Sequence, residues 1–538
     1  MRKRKVWACA VLSAAMAASL MTGCGSSKTT DGGTAASADT KAAGETTAEK
    51  GAETDASKTA EEPVTLKWYR SLNPVDADTD KVIAALNEYT KEKIGVTIDY
   101  TVIANPDYKE KMPTLINSGE YFDICFTADW TTNYVQFVAK DAFMDITDAV
   151  KQYAPETYEF IPESLWKAVS VNGKIYGVPS YKEMGWQSGF FVNSTMAEKY
   201  GIDLSSVKTL EDYTEVLKTV KEKADAAGED VIGLSGLGSS GGSFNMLYPY
   251  ESLSGSRALP GAAAVPEYEY FKDQTGVFNQ YATQEYMDYC KLVRSWYEAG
   301  YMSKDPVNYD TDIANRDNDF KNGKLFSYII SYAPGAAEAE AAKTGHGVTF
   351  VPLMDPLFET KNARGGILAI SSASEHPDKA LEFINLLNTD EYVGTLIRHG
   401  IEGQHYSAVG DNQVDRTMGG TLKIEDNGYV DYTYGWQFGT PFNQKWDISY
   451  PDNIEQLFEE YNAKAITAPH NGFTLDNSPV ETEIAAISNV VDENAKALES
   501  GMVDPEVYIP QFLDALNKNG VEDLLAEISK QLTENGYQ

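Results

Sequence analysis

Cysteine is nearly absent, with four in 538 residues. Cys9 and Cys24 lie at the extreme N-terminus, so only Cys125 and Cys290 remain for the body of the chain, and a disulfide framework is excluded. Cys125 sits inside the apolar stretch Phe122-Asp-Ile-Cys-Phe126 and reads as a buried strand residue rather than a reactive thiol. Histidine is almost as scarce, at five. The spacing of His399, Glu402 and His405 fits neither a one-turn helical pair nor a Cys/His cluster, and Asp310 to Asp319 lacks the Gly and closing Glu of a calcium loop. No metal and no cofactor is expected. Basic residues are outnumbered, 45 to 80, for a net charge of −35. Four basic residues at the start and four lysines between 25 and 62 balance the eight acids of that stretch, so the excess belongs to the rest of the chain. A surface of that sign excludes nucleic acid as a partner.

Long apolar runs are missing after residue 21. The one present, Val6 to Met21, follows Arg2-Lys-Arg-Lys5 and precedes Thr22-Gly23-Cys24. It is too short and too rich in Ala and Ser to remain as a membrane span, and Gly before Cys is the cleavage pattern of bacterial lipoproteins. Residues 1–24 are therefore a signal peptide with Cys24 as the lipidated residue, which predicts an exported protein held on the outer face of the cell membrane. Gly25 to Glu62 has no aromatic residue and cannot build a core, so it is a disordered tether.

What the remainder has in quantity is aromatic side chains, including 33 Tyr and 8 Trp. They suffice for large cores and clefts in a chain long enough for two lobes. Val64 to Tyr69, Val96 to Val102 and Phe122 to Phe126 read as strands, separated by helical spacing from Asp78 to Lys93 and from Asn105-Pro106. Such parallel units bind ligands beyond the carboxyl ends of their strands, here Arg70 to Asn73 and Thr127 to Asn133. Gly173-Lys-Ile-Tyr-Gly-Val-Pro179 reads as a hairpin, and Ser180 to Gly189 as an extended segment crossing between lobes. Leu325 to Ile330 and Val348 to Leu353 are further strands. Helices are expected over Leu210–Ala227, Gln284–Tyr297, His376–Leu387, Asn453–Lys464 and Val480–Leu498, with two more opening at Asp504-Pro505 and after Gly520.

Two enzyme-like patterns fail on inspection. Gly236-Leu-Gly-Ser-Ser-Gly241 has dinucleotide-loop spacing but no matched acid after a following helix, so it is a Gly/Ser loop. Gly233-Leu-Ser-Gly-Leu237 lacks the last Gly of a nucleophile elbow.

The lipobox, Phe122-Asp-Ile-Cys-Phe-Thr-Ala-Asp-Trp130, Gly173 to Pro179, and Gly366-Ile-Leu-Ala-Ile370 leading into His376-Pro-Asp-Lys-Ala380 together resemble the extracellular solute-binding proteins, family 1, of bacterial ABC importers. Gly435-Trp-Gln-Phe-Gly439 and Gly472-Phe-Thr-Leu-Asp476 resemble the C-terminal extension of a lipoprotein subgroup. The resemblance implies an α/β, two-lobed periplasmic-binding-protein-like fold with a ligand cleft between lobes. It places lobe one at 63–180 and 351–400, and lobe two at 181–350 and 401–538. It also implies a monomer that binds an oligosaccharide and serves ABC permease subunits, with no catalytic residue.

Sugars present apolar C–H faces and a ring of hydroxyls, so their sites pair flat aromatic surfaces with carboxylates, amides and guanidinium groups. Asp129 as hydroxyl acceptor and Trp130 as stacking platform form the leading pair. Tyr181, Glu183 and Trp186 lie on the crossing segment. Tyr332 and Trp436 are expected on the second lobe's face, Arg70 and Arg364 as clamps, and His405 at the other crossing. The rival readings are an oligopeptide or other small-solute receptor and a surface glycoside hydrolase, which would need two carboxylates flanking a bond.

Overall fold

The structure, a computed structural model, describes residues 62–72, 76–237, 243–429 and 435–537. The expected signal peptide, Cys24 and all but the last residue of the expected tether lie outside the described residues, as do Asn73 and most of the Gly236–Gly241 loop. Strand β1 (Val64–Leu72) leads through α1 (Thr79–Ile94) to β2 (Val96–Ala104), in parallel register from Val64 opposite Val96 to Leu72 opposite Ala104. Helix α1 turns Val82, Ile83 and Leu86 inward and stops at Gly95, whose φ of 68° lets its N–H close onto the last carbonyls. Helix α2 (Asn105–Ser118) then feeds β3 (Ile124–Thr127), wholly buried, onto the other side of β1. The expected strand, helix, strand, helix, strand is thus realised between 64 and 127.

A tight turn follows, in which Val171 and Lys174 exchange backbone hydrogen bonds, and the chain enters β4 (Gly177–Pro179). It then leaves for a second sheet built from β5 (Gln187–Asn193), β6 (Ile232–Ser235), β7 (Leu325–Tyr332) and β8 (Val348–Pro352). Between these strands run α3 (Leu210–Ala227), opened by a capping box of Thr209 and Asp212, and α4 (Gln284–Glu298). The chain returns to the first sheet with β9 (Ile367–Ile370), which inserts antiparallel between β3 and β4. The two sheets have the orders β2-β1-β3-β9-β4 and β8-β5-β7-β6. Helices α5 (Pro377–Thr389) and α6 (Glu391–His399) cover the first sheet. Helix α7 (Ile454–Lys464) and the C-terminal α8 (Glu481–Glu499), α9 (Pro505–Lys518) and α10 (Val521–Glu534) complete the fold.

Each sheet has its own core. Trp68, Phe126 and Phe383 lie in the first, and Phe190, Tyr213 and Trp296 in the second, together with Ile487, Phe512 and Leu524 from α8–α10. Two expected boundaries need correction. Val351 and Pro352 pair with β5, so the return crossing begins after Pro352 rather than at 351. Tyr429 and Phe438 are buried in the first core, so the chain beyond residue 400 continues to cover the first sheet before it reaches α7. Helix α6 was not expected as a separate element; it starts because the Asp390 side chain accepts the Val393 N–H.

Candidate functional site

The two sheets are joined by the segment Ser180–Trp186 and by the return through Leu353–Leu357. Trp186 and Leu357 exchange backbone hydrogen bonds at 2.9 Å, and Ile466–Thr467 pairs beside Leu357–Phe358. Asn462 of α7 fastens this bundle. Its Oδ1 accepts the Met184 N–H at 2.7 Å and its Nδ2 donates to the Lys182 carbonyl at 3.1 Å.

Over this junction lies a cavity of about 310 Å³. The crossing segment supplies Lys182 and Glu183, the end of β7 supplies Ala333 and Pro334, and the layer over the first sheet supplies Arg398, His399, Trp436 and Gln444. Trp446, Tyr450 and Phe458 close the remaining wall. Lys182 and Glu183 form an ion pair, and the Lys182 ammonium lies 5.8 Å from the Trp436 ring. The Trp436 ring lies so close over Gly366 that a Cβ there would come within 2.9 Å of it, so glycine is required. Burial and the nearby Arg416 and Arg398 depress His399 to about 3, leaving a neutral imidazole that meets the Gln444 Oε1 at 3.0 Å.

The expected residues distribute unevenly over this geometry. Trp130 is 51% exposed, its Nε1 donates to the Gly365 carbonyl, and its ring stands edge-on to Trp436 at 6.3 Å. Trp436 therefore lies beside Trp130 and Phe126 on the first core, not on the second lobe's face. Asp129 is half-buried; burial pushes its carboxyl up to about 6 against the pull of Arg364. Tyr181 is wedged between Phe160 and Phe442 at 5.2 and 5.3 Å.

Four expectations are corrected by burial or direction. Arg70 is fully buried, with its guanidinium 3.3 Å from the Phe438 ring centre and Nη1 donating to the Tyr100 hydroxyl. Arg364 is a buried strut that donates to the carbonyls of Ala168 and Ser170. His405 lies in the first core against Tyr429 and meets Asp78 at 3.1 Å, rather than at a crossing. Trp186 donates to Glu359 at 2.9 Å and is stacked by Arg257 at 4.1 Å, so its ring is committed to packing. Tyr332 stacks on Phe350 at 4.1 Å and lines a second cavity of about 460 Å³ with Gln187, Lys208 and Tyr461; Pro334 borders both spaces.

Lys182, Arg398, Gln444, Trp446 and Phe458 were not anticipated. Trp446, Tyr450 and Phe458 are an aromatic concentration visible in the sequence, but nothing local ties it to Trp436.

A chain with two sheet-centred cores joined by crossing strands, and a polar–aromatic cavity over the junction, has the architecture of a solute receptor. The chain belongs to the bacterial extracellular solute-binding protein family, which matches residues 84–400; a domain of unknown function matches 469–535. It is 29% identical over 481 residues to a carbohydrate ABC transporter substrate-binding protein of Streptococcus pneumoniae, covering 88% of this chain and 91% of that one. It is 23% identical over 365 residues to the lipoprotein LipO of Bacillus subtilis, covering 64% of this chain and 67% of that one. The crystal structure of the N-glycan transport solute-binding protein NgtS of S. pneumoniae superposes with a TM-score of 0.75 at 26% identity, over 88% of this chain and 98% of that one. Its complexes with Man1GlcNAc and Man5GlcNAc give 0.66 and 0.63.

Proposed function

We propose that this chain is the lipid-anchored substrate-binding component of an ABC importer on the outer face of the membrane, a monomer that captures an oligosaccharide between two lobes and delivers it intact to membrane permeases. The cavity over the junction carries this reading. It combines a broad indole face at Trp436 with an ion pair, a guanidinium and an amide, which is the mixture a sugar ring asks for. The named ligands of NgtS and the carbohydrate transporter relative support it. The fall in similarity from 0.75 to 0.63 between the NgtS structures is what a hinge between lobes produces. LipO supports the anchor at Cys24. A receptor is favoured over a hydrolase because the cavity's carboxylates are already engaged, Glu183 with Lys182 and Asp447 with the Ser449 N–H.

The test is calorimetric titration of the full chain with N-glycan and plant oligosaccharides, with mass spectrometry of the recovered ligand. Binding of an unchanged sugar, weakened by roughly tenfold or more in Trp436→Ala, is expected. Shortened products, or binding of peptides and of no sugar, would refute the reading.

A further inference from the structure

Arg398 stands in the last turn of α6 and is 2% exposed. Two of its N–H groups are spent on carbonyls, Nη1 on Gly394 at 3.0 Å and Nη2 on Thr440 at 2.5 Å. Its Nε has no hydrogen-bond partner. Among the described residues no carboxylate forms an ion pair with it. Its charged neighbour is instead another cation, Arg70; the two guanidinium carbons lie 5.9 and 3.3 Å from the one ring of Phe438. A buried guanidinium without a counter-charge is costly, and in a chain with a net charge of −35 acids were available to neutralise it. Across the same cavity, Trp446 is 8% exposed and its Nε1 likewise has no partner. The cavity therefore shows two unsatisfied buried donors, one of them charged. Its own carboxylates, Glu183 and Asp447, are held by Lys182 and by the Ser449 N–H.

We propose that Arg398, assisted by Trp446, is a specificity-determining residue that takes an oxyanion carried by the bound sugar, a uronate carboxylate or a sulfate ester. This rests on the receptor reading above and narrows its ligand to acidic oligosaccharides. The ligand supplies the acceptor oxygens that the protein withholds, and a charge-assisted bond in a site shielded from water is stronger than the hydroxyl contact a neutral sugar offers.

The experiment starts from a glycan array of neutral, uronate-bearing and sulfated oligosaccharides probed with the full chain. Calorimetry follows on a matched set: a glucuronate-terminated oligosaccharide, its carboxyl-reduced counterpart and the 6-sulfated form of that counterpart. The wild-type chain is expected to favour an oxyanion form over the reduced one by about tenfold to a hundredfold. The matched set separates carboxylate from sulfate. Arg398→Gln should abolish the preference, bringing the oxyanion form to within about threefold of the reduced sugar in the same variant. Arg398→Lys, which keeps charge but not the fork, should restore part of it. Where Arg398→Gln fails to fold, Trp446→Phe serves instead and should weaken the oxyanion form alone. Equal binding of charged and reduced sugars by the wild type, or a preference that survives Arg398→Gln, overturns the inference and leaves the receptor reading standing. A chain that binds no sugar on the array overturns both.

Discussion

Oδ1 of Asp129 is buried and meets no donor. Burial raises the carboxyl from 3.8 to about 6, with Arg364 opposing the rise. An acid whose folded value exceeds its unfolded one holds its proton more tightly when folded, so its contribution to stability falls as pH rises from 3.8 to about 6 and stays low above that. Asp129→Asn should therefore raise the melting temperature at pH 7, by up to about 3 kcal/mol of stability, with little gain at pH 4. If the residue also serves the sugar, the same variant loses affinity; calorimetry beside thermal denaturation reads both. A melting temperature unchanged at pH 7 would show that the carboxyl is not strained by burial. The placing of Asp129 and Trp130 just past a strand was legible because a short buried strand, Phe122 to Phe126, announces the loop after it. Arg70, Arg364 and His405 were not, since a guanidinium or imidazole that reaches solvent and one that closes onto backbone carbonyls have the same sequence. What separates them is packing over distant chain, Phe438 above Arg70 and Ala168 beside Arg364.

Among the elements, the junction depends on α7. Removing the Asn462 amide strips the Met184 N–H and the Lys182 carbonyl of their partners at once, so Asn462→Ala should cost about 1–3 kcal/mol, read as a lower midpoint in urea. A midpoint equal to wild type would show that water replaces the amide. Helix α8 holds a second buried acid. Glu499 accepts the Phe244 N–H at 2.9 Å and lies 3.4 Å from the hydroxyls of Ser243 and Tyr286. Burial pushes it up to about 7 despite these donors. Its share of stability is present below 4.5 and lost as pH rises to about 7, so the wild type should weaken across that interval while Glu499→Gln stays flatter. Paired denaturation curves at pH 5 and 8 check this, and parallel pH profiles would contradict it. Helix and strand spans were largely readable from period and caps, as in Leu210–Ala227 between Thr209 and Gly228. Helix α6 escaped because Asp390 ends one helix and caps the next, leaving no break in the apolar pattern.

Across the whole molecule, α8–α10 are structural members of the second core rather than an appendage. Ile487, Val491, Leu498, Phe512, Leu516, Leu524 and Ile528 are buried in it. At about 1.5–3 kcal/mol for each large side chain, their loss approaches or exceeds the roughly 5–15 kcal/mol that holds a protein folded. A chain ended at residue 468 should show no cooperative unfolding and should bind a hydrophobic dye; a sharp transition would make the helices dispensable. The linear sequence determined the local elements and the acidic balance, because turn chemistry, periodicity and composition act within a few residues. Only the tertiary structure decided that Trp436 belongs beside Trp130 and that Arg398 faces a cavity without a counter-charge. It also decided that the chain past residue 400 first covers one sheet and then completes the core of the other. Those placements arise from contacts between residues hundreds of positions apart, where burial and close approach, not local propensity, choose the partner.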